Sequence, residues 1–150
     1  MAISNVPFFT QSVTTNVVTL SAATAWTIGN TSTANTATLV TAGANGTRVN
    51  SITLATTDTA ANNVFLLLDV GGTGTNIGIL GQINVPSSAG TQSSVLVVDA
   101  LSSVTIPSTL IDNNGKRFIH LAPNDKIRIG VFQNMTAAKV LFCTCSLENY

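Results

Sequence analysis

The feature that most constrains the fold is a series of short segments in which apolar and polar residues alternate. The clearest runs from Lys126 to Phe132, with Ile127, Ile129 and Val131 on one side. Successive side chains of a strand point to opposite faces, so this pattern indicates a strand with one buried face. Similar segments recur between clusters of turn residues, and none has the helical period of 3.6 residues. The sequence therefore predicts an all-β fold of about 8–9 antiparallel strands.

Turn residues divide these strands, most clearly between Thr41 and Thr56. Asn45-Gly46 tolerates positive φ at little steric cost, which indicates a reversal of the chain between two β-branched runs. Val49 is out of phase with Ile52. This offset predicts either a β-bulge nearby or a strand that is covered on both faces.

Three further segments give specific expectations. The apolar run from Val64 to Leu68 is typical of a strand buried on both faces. Residues 93–99, which include four consecutive aliphatic residues, predict another strand. Residues 71–75 are rich in glycine after an apolar strand, but a phosphate-binding loop needs a following helix and lysine. Since both are missing, we expect residues 71–75 to connect two strands of a hairpin.

A chain of 150 residues is long enough for one domain with a proper core. We expect residues 12–150 to form a single β-sandwich or jelly-roll domain. Residues 1–11 read as an extended N-terminal arm, because Pro7 disfavours helix in the residue before it. The adjacent Phe8 and Phe9 require burial, either on the core of their own domain or on a neighbouring molecule.

The composition limits the classes of partner. Charged residues make up 8% of the chain and the formal net charge is zero, so the surface must consist largely of Thr, Ser, Asn, Gln and Ala. Such a surface costs little to desolvate when it docks on another protein. It lacks the positive field that phosphate binding requires, which argues against nucleic acid. No signal peptide or membrane-spanning run is evident, so we expect a soluble protein made in a cytoplasm, without a membrane partner.

Few residues are candidates for chemistry. Cys143 and Cys145 lie two apart on one predicted strand, which favours buried free thiols over a disulfide or a zinc site. The carboxylates are scattered singly, so we expect no metal site and no cofactor. His120 is the single histidine and alternates with Ile119 and Leu121, which favours a structural or surface role. A hydrolase would need a serine and a carboxylate beside His120, and the sequence predicts that the protein is not an enzyme.

The string T-A-G-A-N-G-T-R-V, from Thr41 to Val49, resembles a turn of small head-associated (decoration or cement) proteins of tailed bacteriophages. The proline-containing turn from Leu121 to Ile127 is similar to one that these proteins have before their penultimate strand. The region before residue 41, rich in Thr, Ala and Asn, is similar as well. The cysteines, residues 71–75 and residues 146–150 have no counterpart in this resemblance.

The resemblance implies a β-sandwich or jelly-roll subunit, commonly trimeric, on the outer surface of an icosahedral head. Its partner would be the major capsid protein, and its action would be to cross-bridge capsomers. The residues expected to make the contact are Arg48, beside the turn, and Val6, Pro7, Phe8 and Phe9 of the arm. A tail, head-fibre or receptor-binding module of a phage is the alternative, followed by a β-sandwich hydrolase that uses His120.

Overall fold

The computed structural model of the chain describes residues 12–21, 25–27, 33–102, 106 and 109–150. This part contains ten strands and one short 3-10 turn, Val70–Gly72. The strands are β1 Ser12–Ser21, β2 Thr36–Thr41, β3 Thr47–Thr56, β4 Asn62–Asp69, β5 Ile77–Val85, β6 Val98–Asp99, β7 Leu110–Ile111, β8 Arg117–Leu121, β9 Lys126–Val131 and β10 Val140–Asn149. No helix among these residues has the length and apolar character needed to cross a membrane.

The strands form two antiparallel sheets. The first sheet has the order β1-β10-β3-β8-β7, with β6 paired to β3, and the second has the order β2-β9-β4-β5. Without the two-residue strands β6 and β7, the chain crosses between sheets at every connection except β4 to β5. This order is that of a jelly roll. The prediction of an all-β sandwich is confirmed.

The core lies between the sheets, and β4 is covered on both of its faces. Val64 and Leu66 belong to the main core, whereas Phe65 and Leu67 pack in a second cluster with Trp26 on the outer side. The ring of Trp26 meets that of Phe65 edge to face at 5.6 Å between centroids. The prediction that this strand is buried on both faces is therefore confirmed.

The irregularity between Val49 and Ile52 is a β-bulge. On β10, Ser146 lies opposite Ser51 and the next residue lies opposite Val49, so Asn50 is the extra residue. The bulge lets both Val49 and Ile52 point into the core, where each is fully buried. The choice left open by the sequence is thus decided in favour of the bulge.

One local expectation is confirmed and another needs correction. The chain reverses at Asn45-Gly46 between β2 and β3, as expected, and these strands lie in different sheets, β2 beside β9 and β3 beside β10. Residues 93–99 are not a strand along their length: only Val98–Asp99 pair with β3, and Leu96 is 80% exposed. The prediction of this strand rested on the aliphatic residues alone. The first part of the segment instead forms a turn, which a β-bridge between Gln92 and Val95 closes. The expected arm, residues 1–11, lies outside the described residues.

Candidate partner-contact surface

The turn that carries the resemblance is fixed by contacts within the domain. The hydroxyl of Thr47 accepts a hydrogen bond from the main-chain N–H of Gly43 at 2.9 Å and donates one to Oδ1 of Asn149 at 2.6 Å. Gly46 has φ of 98°, and a Cβ there would lie 2.8 Å from the carbonyl oxygen of Leu121. Only glycine fits this close approach at positive φ. The turn therefore joins the start of β3 to the end of β8 and to the C-terminus.

Arg48 is the charged residue of this motif, and its side chain is half-buried. Its Nη2 lies 2.8 Å from Oδ2 of Asp112, and its guanidinium lies 4.1 Å from the centroid of the Phe118 ring. Its Nε is buried and has no hydrogen-bond partner in the part of the chain that the structure describes. Cross-strand neighbours of Arg48 are Glu148 on β10 and His120 on β8. Arg48 is therefore held in one orientation by a charge, a ring and two adjacent strands.

The turn before β8 holds the carboxylate of Asp112 in position for this ion pair. The main-chain N–H of Lys116 donates to Oδ1 of Asp112 at 2.9 Å, and that of Asn114 does the same at 2.9 Å. The pKa of Asp112 lies below its ordinary value, and the hydrogen bond from Lys116 is the largest cause. Burial opposes this shift, and the hydrogen bonds from Asn114 and Arg48 lower the pKa further. The carboxylate thus stays ionised and keeps Arg48 in place.

Six charged side chains gather at this end of the first sheet, and we call them the charged corner. They border two adjoining concavities of about 430 Å³ each, which share Asn50, Lys116 and Arg117. The Nδ2 of Asn50 donates to Oε1 of Glu148 at 3.0 Å, so the bulge residue also positions a carboxylate. Three basic and three acidic residues make up the charged corner: Arg48, Lys116, Arg117, Asp99, Asp112 and Glu148.

Nearly all other charges serve the fold. Asp69 is buried and accepts a hydrogen bond from Nε of Arg128 at 2.9 Å. The Nζ of Lys126 donates to the carbonyl oxygen of Gly72. Asp125 accepts a hydrogen bond from the N–H of Gly71 at 2.8 Å. Asp58 is buried in a turn. Lys139 is therefore the one charged residue that belongs neither to this group nor to the charged corner.

Beside the charged corner, the outer face of the first sheet carries a grid of nine uncharged side chains, which we call the neutral face. The registers of β1, β10 and β3 place them in three rows of three. The rows are Thr15, Ser146 and Ser51; Val17, Thr144 and Thr53; and Thr19, Phe142 and Ala55. All nine are exposed or half-buried. One domain surface thus combines an uncharged area with a balanced group of charges.

The candidate site residues named from sequence divide into two groups. Arg48 lies at the surface, whereas Val6, Pro7, Phe8 and Phe9 lie outside the described residues. The other five members of the charged corner were missed, because they approach Arg48 only through the fold. The sole signal in the sequence for this cluster was the pattern Asp112 to Arg117, a polar turn with two cations.

The histidine expected for a hydrolase is exposed on β8. Its ring lies 5.9 Å from that of Tyr150, and within the described ranges it has no hydrogen bond to a serine or a carboxylate. The described residues also bring no three metal-ligating side chains together. Cys143 and Cys145 are free and buried, as expected, and burial raises the pKa of both thiols.

Comparisons with known proteins add little. No family model matches the chain, and no curated protein matches it. Among solved structures, the chain is similar to a cyanophage Pam1 capsid asymmetric unit, with 16% sequence identity and a TM-score of 0.44. The similarity covers 100% of this chain and 93% of that chain. Values as low as these do not assign a function.

Proposed function

We propose that this protein is a structural virion protein that binds the outer surface of a phage capsid. It acts as a homotrimer, contacts the major capsid protein, and stabilises the shell by cross-bridging capsomers. It is not an enzyme and needs no cofactor. The proposal begins from the sequence resemblance, and the neutral face beside the charged corner is the observation that carries it.

The neutral face suits a docked protein for an energetic reason. A hydroxyl group that is buried without a hydrogen bond costs about 1–3 kcal/mol, which one new hydrogen bond can offset, whereas each buried charge without a partner costs several kcal/mol. The three rows occupy roughly 300 Å², from strand spacings of about 4.8 Å and residue rises of about 3.3 Å. A stable interface needs about 800 Å² on each partner. One such contact is therefore weak, and a trimer that makes three of them gains affinity by avidity.

The charged corner would fix the orientation of the docked subunit. Charges at the rim of an interface mainly control specificity and association rate, and they do so through complementary potentials. The charged corner has three cations and three anions, so it favours a partner surface with both signs in a matching pattern. A polyanion such as nucleic acid would meet as much repulsion as attraction there.

The test is association with purified phage heads. The purified chain is added to heads that lack it, and bound protein is measured after sedimentation. We expect Lys116→Glu in the charged corner to reduce binding about tenfold, which corresponds to about 1.4 kcal/mol. The matched control is Lys139→Glu, which makes the same charge change outside the charged corner and should bind like the wild type.

Two further measurements separate the alternatives. Gold-labelled antibody should mark the head, since label confined to tails or fibres would support a receptor-binding module instead. Deletion of residues 1–11 should weaken head association while the melting temperature stays unchanged, if the arm anchors the subunit. Equal binding by Lys116→Glu and wild type would refute the role of the charged corner, and undiminished binding after the deletion would refute the role of the arm.

A further inference from the structure

One edge of the first sheet is a long, regular and uncharged strand. Strand β1, Ser12–Ser21, pairs with β10 alone in the described part of the chain. Its register with β10 has no shift along its whole length, and none of its residues is charged or a proline. Natural proteins protect sheet edges with charges, prolines, bulges or short strands, because an open edge pairs with other chains. Strand β1 has none of these four protections.

The other sheet edges in the described part of the chain each have at least one protection. Strand β5 has a β-bulge, because its register with β4 shifts between Leu66 and Leu67. Strand β2 has only six residues, and its register with β9 shifts between Thr38 and Val40. Strand β7 has two residues. Strand β1 is therefore the edge best suited to pair with another strand.

The side chains of β1 also favour an extended partner. Two valines, Val13 and Val17, are 69% and 62% exposed on the outer face of the sheet. On the inner face, the Nδ2 of Asn16 donates to the carbonyl oxygen of Leu39 at 3.1 Å and holds β1 against the second sheet. Six of the ten residues are β-branched, the class that is enriched in strands: Val13, Thr14, Thr15, Val17, Val18 and Thr19.

We propose that β1 pairs in the antiparallel direction with β1 of a second copy of this chain, across a two-fold axis at Val17. The proposal goes beyond the proposed function and does not depend on it. A two-fold contact uses the same surface on both copies. The partner that β1 requires is a long, regular strand without charge, and β1 itself is such a strand. Because neither edge is charged, no like charges meet in the pair.

Symmetry limits the register of this pair. Directly opposite residues of an antiparallel pair point to the same face, so one residue must lie opposite its own copy. A centre at Asn16 pairs residues 12–20 and one at Val17 pairs residues 13–21, which is nine of the ten residues in each case. The centre at Val17 brings two exposed β-branched side chains together and leaves the amide of Asn16 on its partner Leu39. We therefore place the axis at Val17.

The pairing would extend the first sheet across both copies. The axis is perpendicular to the sheet, so the outer faces of the two copies point the same way. Two neutral faces of roughly 300 Å² each then form one uncharged surface of about 600 Å², which approaches the roughly 800 Å² that a stable interface needs on each partner. The charged corners stay apart. Val13, which lies opposite Glu148, is eight residues of about 3.4 Å, or about 27 Å, from its own copy.

The contact is small and therefore forms best between copies that are held close together. Nine paired residues span only about 30 Å, and their hydrogen bonds are largely offset by the entropy lost on association. Copies side by side on a shell would supply the high local concentration that shifts this balance. Because a two-fold contact joins only two copies, it would link one copy in each of two neighbouring trimers.

The experiment is disulfide trapping with the full-length chain and without phage heads. Variants V17C and V13C are each oxidised mildly at the same high concentration, and the linked dimer is measured on a non-reducing gel. Since Val17 would lie opposite its own copy, we expect at least about tenfold more dimer from V17C than from V13C. V13C is the matched control, because Val13 is more exposed and lies on the same face of the same strand. The native cysteines are buried free thiols and do not interfere.

A second measurement separates strand pairing from stacking of two outer faces. An axis at Val17 places Thr15 of one copy opposite Thr19 of the other. Variants T15C and T19C, one of which carries an affinity tag, are mixed in equal amounts and oxidised. We expect the mixed T15C–T19C dimer to exceed each self-linked dimer about tenfold, because only opposite residues lie within reach of a disulfide.

Each of the other outcomes contradicts the proposal. Equal amounts of dimer from V17C and V13C, with both variants folded, would show that β1 does not pair about Val17. Dimers of V17C without the mixed T15C–T19C dimer would show that two outer faces stack instead. Since no phage head is present, these results are independent of capsid binding.

Discussion

The carboxylate of Asp58 should be one of the most sensitive single groups in the fold. It is 1% exposed and accepts four hydrogen bonds. Oδ1 accepts from the N–H of Ala60 at 3.1 Å and from the hydroxyl of Thr136 at 2.7 Å. Oδ2 accepts from Nδ2 of Asn62 at 3.1 Å and from the N–H of Thr136 at 3.0 Å. Asp58 thus ties the β3–β4 turn to the β9–β10 turn, 78 residues away.

Asp58→Asn preserves the shape of the side chain but places an NH₂ group where one oxygen accepts two donors. Two hydrogen bonds to a charged group are lost, and each contributes about 1.5–3 kcal/mol. The two donors that bonded the replaced oxygen are left buried without an acceptor. We therefore expect the free energy of unfolding at neutral pH to fall by about 3–6 kcal/mol. At about 2–4 °C per kcal/mol, the melting temperature falls by roughly 6–24 °C.

The free energy of unfolding should also depend on pH in a direction that the pKa of Asp58 determines. Burial alone would raise the pKa of Asp58, but the hydrogen bonds from Thr136, Ala60 and Asn62 outweigh it and hold the pKa well below its ordinary value of 3.8. A depressed pKa in the folded state stabilises the fold above the unfolded value and loses that effect as pH falls through the folded value. The difference in stability between wild type and Asp58→Asn should therefore narrow below about pH 4.

Urea unfolding at a series of pH values measures both effects. Asp99→Asn is the control, because Asp99 is exposed and its Oδ1, which an amide retains, accepts from the N–H groups of Leu101 and Ser102. We expect this control to change stability by less than about 1 kcal/mol. A loss below 1 kcal/mol for Asp58→Asn, or a difference that is constant down to pH 2, would refute the reasoning.

Two other predictions test the turn and the thiols. Gly46→Ala should cost about 2–4 kcal/mol in urea unfolding, because a Cβ at φ of 98° would press on the carbonyl oxygen of Leu121; an unchanged midpoint would show that the turn can relax. Cys143 and Cys145 should resist a thiol reagent at pH 8 until the chain unfolds, because burial raises the pKa of both thiols. Rapid labelling of the folded protein would contradict the buried position of these side chains.

Local patterns in the sequence predicted what local physics controls. The alternation in β9 placed Ile127, Ile129 and Val131 inside, where all three are fully buried. The phase change at Val49 predicted a bulge as one of two options, because a period of two leaves a visible break when one residue is inserted. These signals need only neighbouring residues and the geometry of a strand.

Pairing between distant segments was not predictable in the same way. Arg48 meets Asp112 across 64 positions of sequence, and no local pattern around either residue indicates this ion pair. The residues Asn45-Gly46 predicted a reversal of the chain but not that β2 and β3, on either side of it, belong to different sheets. A turn residue determines where the chain bends, whereas burial of the whole core determines which strands pair afterwards.

The low charge of the chain has a structural explanation that links fold and surface. Five of its charged side chains hold turns or a buried ion pair, and six form the charged corner. Since Lys139 is the remaining charge, almost none is scattered over the surface to keep copies apart. Proteins that stay separate in solution use such scattered charge for mutual repulsion. A chain with so little scattered charge is suited to close contact with other protein surfaces.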